Sequence, residues 1–121
     1  MTTIVPIGVT VFFLAMGAYA LAAPAALARP FRITVDAPES RSEIRAVYGG
    51  FGLAIAAVLV LAVIDGGDFR RGVVVTVGFA LAGMAAGRVV SRLVDKGTSF
   101  YPIWFYFGVE ALAAGLLFAA A

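Results

Sequence analysis

The chain has 121 residues, 63% of them hydrophobic, with a formal net charge of +2 and no Cys or His. A mean hydropathy of +1.04 leaves too few polar side chains to cover a soluble domain of this size, so a membrane-embedded chain is expected. The missing residue types exclude disulfides, zinc, iron–sulfur and ordinary haem ligation, and any Ser-His-Asp or Cys-His nucleophile.

Residues 1–28 carry no charged side chain, and "IVPIGVTVFFLAMGAYALAAPAAL" is long enough to cross a bilayer. The small residues of "ALAAPA" suit a cleavage site, but the basic n-region of a signal peptide is missing and the apolar run is too long for one. A retained helix with Pro24 near its end is therefore expected. The polar connection "ARPFRITVDAPESRSE" follows. Within it, Asp36 with Glu39, or Ser40 with Glu43, has capping-box spacing ahead of the second span. Two tight connections, "DGGDFRR" and "DKGTS", flank the third span. A single domain, residues 1–121, thus carries spans over about residues 4–28, 43–64, 71–94 and 101–121, each near the roughly 20 residues a transmembrane helix needs. Four segments cannot close a barrel, and short connections make neighbours antiparallel. The expected fold is all-α: an integral membrane up-down four-helix bundle.

The cations set an orientation. Arg29, Arg32, Arg41, Arg45, Arg88, Arg92 and Lys96 lie on the side of the first and third connections, and only Arg70 and Arg71 on the other. In a bacterial cytoplasmic membrane this bias puts both termini outside and residues 29–42 and 95–100 in the cytoplasm. The same scatter forms no basic face, so nucleic acid is not an expected partner. Phe100, Tyr101, Trp104 and Tyr106 fit an interfacial aromatic belt at the start of the fourth span.

Counting about 1.5 Å per residue turns sequence positions into depths. Arg88 and Glu110 come roughly 10 and 13 Å inside the same face, with Tyr19 at a similar level. Tyr106 lies one turn shallower on the Glu110 face, and Glu43, Arg45 and Tyr48 lie at or just below the interface. An arginine or carboxylate at mid-span costs about 2.5–3.5 kcal/mol on insertion scales. Glu110 is too short to reach water, so it pairs with a cation or stays protonated. An Arg88–Glu110 pair is expected, with Tyr19 and Tyr48 as hydroxyl donors and Arg92 turned toward Asp95. On the third span Gly83 and Gly87 make a small-xxx-small stripe, and Gly49, Gly52 and Ala56 do the same on the second, each suited to close helix approach.

The run Glu43-Ile44-Arg45-Ala46-Val47-Tyr48-Gly49-Gly50, joined by Gly87-Arg88 and the late Glu110, resembles the bacterial four-span proteins of the domain of unknown function 4345 family. The resemblance covers nearly the whole chain. It implies a four-helix membrane fold and no particular activity.

Three function classes fit these residues. The first is a non-catalytic binding or accessory protein, whose Arg45, Arg88 and Arg92 receive the polar end of an amphipathic ligand while the apolar outer half holds its tail, or whose bundle docks a partner membrane subunit or a second copy. The second is a cofactor-free membrane enzyme of isomerase or cyclase type, with Glu110 as the candidate general acid or base and Tyr19 or Tyr48 as helper. The third is a proton-coupled carrier working as a dimer. The first is preferred: the chain has no metal ligands, no phosphate loop and no soluble catalytic domain. The candidate binding set is Arg88, Glu110, Arg45, Tyr48, Tyr19, Arg92, Glu43 and Tyr106, with neither metal nor cofactor expected.

Overall fold

A computed structural model describes residues 1–121. It contains no strand. The elements are α1 (Ile4–Ala22), a short α2 (Pro24–Ala28), α3 (Pro38–Asp65), α4 (Gly67–Val94) and α5 (Phe100–Ala120). Four of these, all but α2, are long and apolar enough to cross a membrane. Neighbours run antiparallel in the order α1, α3, α4, α5, and α5 closes back on α1. Both termini and the α3–α4 turn therefore share one end, the terminal end. The two polar connections share the other, the basic end. Only 24 of the 121 residues are buried, and Ile4, Ile64, Phe79 and Leu112 point outward, as side chains facing lipid do.

The helix boundaries follow from local chemistry. Pro24 has no N–H and pushes Ala23 out of the helical region (φ −140°, ψ 66°), which ends α1 and starts α2 with proline at its first position. The break leaves the Leu21 carbonyl without a helical donor, and Arg45 Nε donates to it across the gap at 3.1 Å. Residues Arg45–Gly50 of α3 form a π turn, a wider coil than the helix on either side. The α3–α4 reversal needs Gly66 and Gly67, both at positive φ (73° and 59°). Arg70 in the first turns of α4 then donates to the Ala120 carbonyl at 3.1 Å, satisfying the end of α5. Inside the spans, the Thr10 and Thr76 hydroxyls bond the carbonyls one turn back, so neither needs a partner from another helix.

Two sequence expectations do not hold. No side chain caps α3: the helix starts at Pro38 with Ala37 as its N-cap, so Asp36 lies one residue too early to cap it and Ser40 already lies within its first turn. Gly83 and Gly87 meet nothing within 4 Å and lie on the exposed side of α4. The close approach is made by Gly49 and Gly52 of α3 against Gly17 and Leu21 of α1, as expected for α3, and by Gly78 of α4 against the Phe118 ring.

The packed interior lies in two layers. Val9, Leu59, Val74, Val77, Leu81, Ala114 and Leu117 fill the terminal half. A smaller cluster of Ala20, Leu27, Ala28 and Ile44 lies beneath the first connection at the basic end. A Cβ added at Gly17 would come within 3.0 Å of the Gly49 carbonyl oxygen, which is backbone and cannot swing aside. Gly17→Ala is expected to destabilise the bundle by about 1–3 kcal/mol, read as a lower thermal midpoint in nanodiscs. Gly83→Ala and Gly87→Ala, which point into open space, leave the midpoint unchanged or raise it.

Candidate functional site

On α4 the inward residues are Val74, Val77, Leu81 and Ala85, at spacings of three, four and four. The next position in that series is Arg88. On α5 the matching inward series runs from Glu110 through Ala114 and Leu117 to Ala120. The antiparallel packing of α4 on α5 makes each stripe end, at its polar member, opposite the other. Arg88 Nε donates to Glu110 Oε1 and Nη2 donates to Oε2, both at 2.8 Å. This is a two-pronged charge-assisted contact, and the chain forms no other ion pair. Glu110 is 2% exposed and the Arg88 side chain 21%.

Two rings complete the surroundings of the guanidinium. Phe31, from the first connection, and Tyr106, one turn before Glu110, each place a ring centroid 5.9 Å from Arg88 Cζ. The rings lie 5.5 Å apart, so they form a shared aromatic wall on one side of the cation. Phe31 reaches this position because the chain makes a short turn over Arg29–Phe31 and Arg32 then adopts the left-handed conformation (φ 60°, ψ 30°). Nothing in the apolar periodicity of the sequence points to Phe31, since it belongs to no span.

A cavity of about 570 Å³ opens beside the pair, between the two packed layers. Its apolar lining comes from Phe12, Phe13 and Met16 of α1, Leu27 and Ala28 of α2, Ile44, Val47 and Phe51 of α3, and Met84 of α4. Arg88, Glu110, Tyr106 and Tyr48 supply its polar wall. A second cavity, of about 350 Å³, lies on the other side of Met84 and Arg88, under the α4–α5 connection.

The expected binding residues thus separate into groups. Arg88, Glu110, Tyr106 and Tyr48 come together at the larger cavity. Arg92 lines the smaller one. Tyr19, Glu43 and Arg45 line neither. Tyr19 has the right depth but the wrong azimuth: Gly17 and Ala20 are the buried residues of that turn, which turns Tyr19 outward. Neither Tyr19 nor Tyr48 donates to the carboxylate, whose two oxygens are both held by Arg88. Arg45 is committed to the Leu21 carbonyl. Arg92 forms no pair with Asp95, because Asp95 ends the helix in extended backbone and accepts the Lys96 N–H at 2.8 Å. The Arg92 guanidinium lies instead over Gly97. The apolar outer half, expected to hold a ligand tail, is filled: Leu59, Val74 and Leu117 are fully buried there. The open apolar space lies in the basic half.

No three acidic side chains converge, so no carboxylate cluster able to hold a metal ion is built. The whole chain, residues 1–121, matches the family model described as "Domain of unknown function (DUF4345)", and the protein belongs to that family. No curated protein and no solved structure matches it.

Removing one member of the pair leaves the other charged and buried. Arg88→Ala is expected to cost about 3–5 kcal/mol, and the combined change Arg88→Met with Glu110→Leu to recover most of that loss. Thermal unfolding in nanodiscs measures both. A single variant as stable as the parent would remove the pair from the list of interactions holding α4 to α5.

Proposed function

We propose that this member of the DUF4345 family is a non-catalytic binding protein of the bacterial cytoplasmic membrane. Both termini face outward, and residues 29–42 and 95–100 lie in the cytoplasm. Seven of the nine cations at the basic end support that orientation.

The observation that carries the binding reading is the larger cavity. About 570 Å³ is within the range of small-molecule pockets, and 14 of its 17 lining residues are hydrophobic. The few polar groups are gathered at one wall, around Arg88 and Tyr48. Such a space suits an amphipathic molecule whose apolar body lies against Phe12, Met16 and Phe51 and whose hydrogen-bonding end meets Arg88. Because Arg88 is already neutralised by Glu110, the polar end needs to carry no full charge.

The same geometry favours binding over proton chemistry. A general acid or base must reach its substrate, yet both Glu110 oxygens are held by Arg88 and the residue is 2% exposed. A carrier that protonates Glu110 would have to break the same contact in every cycle. An accessory role remains compatible with the fold, since Gly83 and Gly87 leave an open small-residue stripe on the outer face of α4 for a partner helix or a second copy.

Native mass spectrometry of protein released from lipid nanodiscs, without a detergent step, tests this. A small-molecule adduct is expected. Val47 is half-exposed and lines the cavity, so Val47→Trp fills the space without displacing a packed residue and lowers adduct occupancy at least tenfold. A protein adduct in place of a small molecule moves the reading to an accessory subunit. An adduct indifferent to Val47→Trp places the ligand elsewhere.

A further inference from the structure

The smaller cavity has a chemistry opposite to that of the larger one. Only three of its nine lining residues are hydrophobic. Arg88 and Arg92 lie four residues apart on α4, Lys96 follows just past the end of that helix, and all three line the space. Ser91 and Thr98 bring hydroxyls, and Trp104 brings an indole N–H. No carboxylate lines it.

Two of these charges, those of Arg92 and Lys96, are also uncommitted. The chain's one ion pair is Arg88–Glu110, so Arg92 and Lys96 have no acidic partner within 4.0 Å. Asp95, the nearest acid in sequence, is occupied by the Lys96 backbone N–H. Arg88 uses Nε and Nη2 on Glu110, and its Nη1 donors make no bond. Glu110 neutralises Arg88 but leaves the charges of Arg92 and Lys96 unmatched, and an anion entering beside them supplies the missing counter-charge. The cavity lies at the end of α4, beside the chain's only tryptophan.

We propose that this second cavity is a binding site for a phosphate group, held by Arg92, Lys96 and the free edge of Arg88, with Ser91 and Trp104 as neutral donors; the Thr98 hydroxyl already donates to the Ser99 carbonyl. Its chemistry is shared by the phosphate of an anionic lipid headgroup and by a soluble phosphorylated compound. The site is separate from the apolar cavity and does not depend on what that cavity binds.

Trp104 is the chain's only tryptophan, so its emission reports on this cavity alone. Protein in nanodiscs of zwitterionic phosphatidylcholine is titrated with inorganic phosphate. In a second series, the nanodiscs contain rising fractions of phosphatidylglycerol. A saturable emission change is expected in at least one series. Saturation by free phosphate identifies a soluble phosphate compound as the source, and saturation only with phosphatidylglycerol identifies the headgroup. Arg92→Gln with Lys96→Gln, at two exposed positions outside the packed core, weakens the midpoint at least tenfold. Gly87→Leu changes no charge but projects into the cavity, where a Cβ meets nothing within 4 Å, and it weakens binding comparably. That variant separates a built site from diffuse attraction to a basic surface. No saturable change in either series, or a change that survives both variants, overturns the proposal. Val47→Phe, which narrows the larger cavity without adding a second tryptophan, leaves this titration unaltered, so the two cavities are tested independently.

Discussion

An arginine and a glutamate held 2.8 Å apart, in a bundle whose only other buried polar side chain is Thr10, constrain the helices that carry them. Each alone in hydrocarbon costs about 2.5–3.5 kcal/mol on insertion scales, and only contact between them removes the unpaired charge. The contact is two-pronged, so it sets direction as well as distance. It determines the rotation of α4 about its own axis. With Arg88 turned to Glu110, the positions spaced three and four residues before it, Ala85, Leu81, Val77 and Val74, all face the core. Gly87, about 100° away around the helix, then faces outward. The small stripe that looked like a packing surface is outside because the ion pair is inside.

The same contact divides the bundle by depth. Toward the termini, branched apolar side chains fill the space between four helices and leave no room for a ligand. Toward the basic end the interior is less filled, and the two cavities lie on either side of Arg88. Both irregular stretches of backbone around the larger cavity are in this half: the break at Ala23–Pro24 and the π turn at Arg45–Gly50. They are tied to each other by Arg45 reaching the freed Leu21 carbonyl. Irregular backbone inside a membrane persists only where something satisfies its polar groups, and Arg45 does so here.

Two kinds of pocket thus share one arginine. The larger is apolar with a neutral polar wall, and the smaller is basic with hydroxyls and an indole. The lining accounts for the difference: Glu110 faces only the larger space, where it neutralises Arg88, while Arg92, Lys96, Ser91 and Thr98 line only the smaller.

The sequence by itself determined four helices long and apolar enough to cross a membrane, their antiparallel order and the partnership of Arg88 with Glu110. Each of these depends on distance along a helix, and distance follows from counting residues. What counting could not supply was azimuth and the path of the connections. Tyr19 has the depth of Glu110 but faces away from it, and Gly83 and Gly87 have the spacing of a helix contact but face outward. Phe31 lies in a polar connection and yet covers the ion pair. Arg45 matches the composition of a site and instead satisfies a backbone carbonyl. The outer half, apolar enough to hold a ligand tail, is solid, and the free volume is elsewhere. Only tertiary structure decided these points, because the direction a side chain faces depends on which neighbouring helices are packed against its own. The shape of a cavity depends further on whether the side chains that meet there fill the space between them.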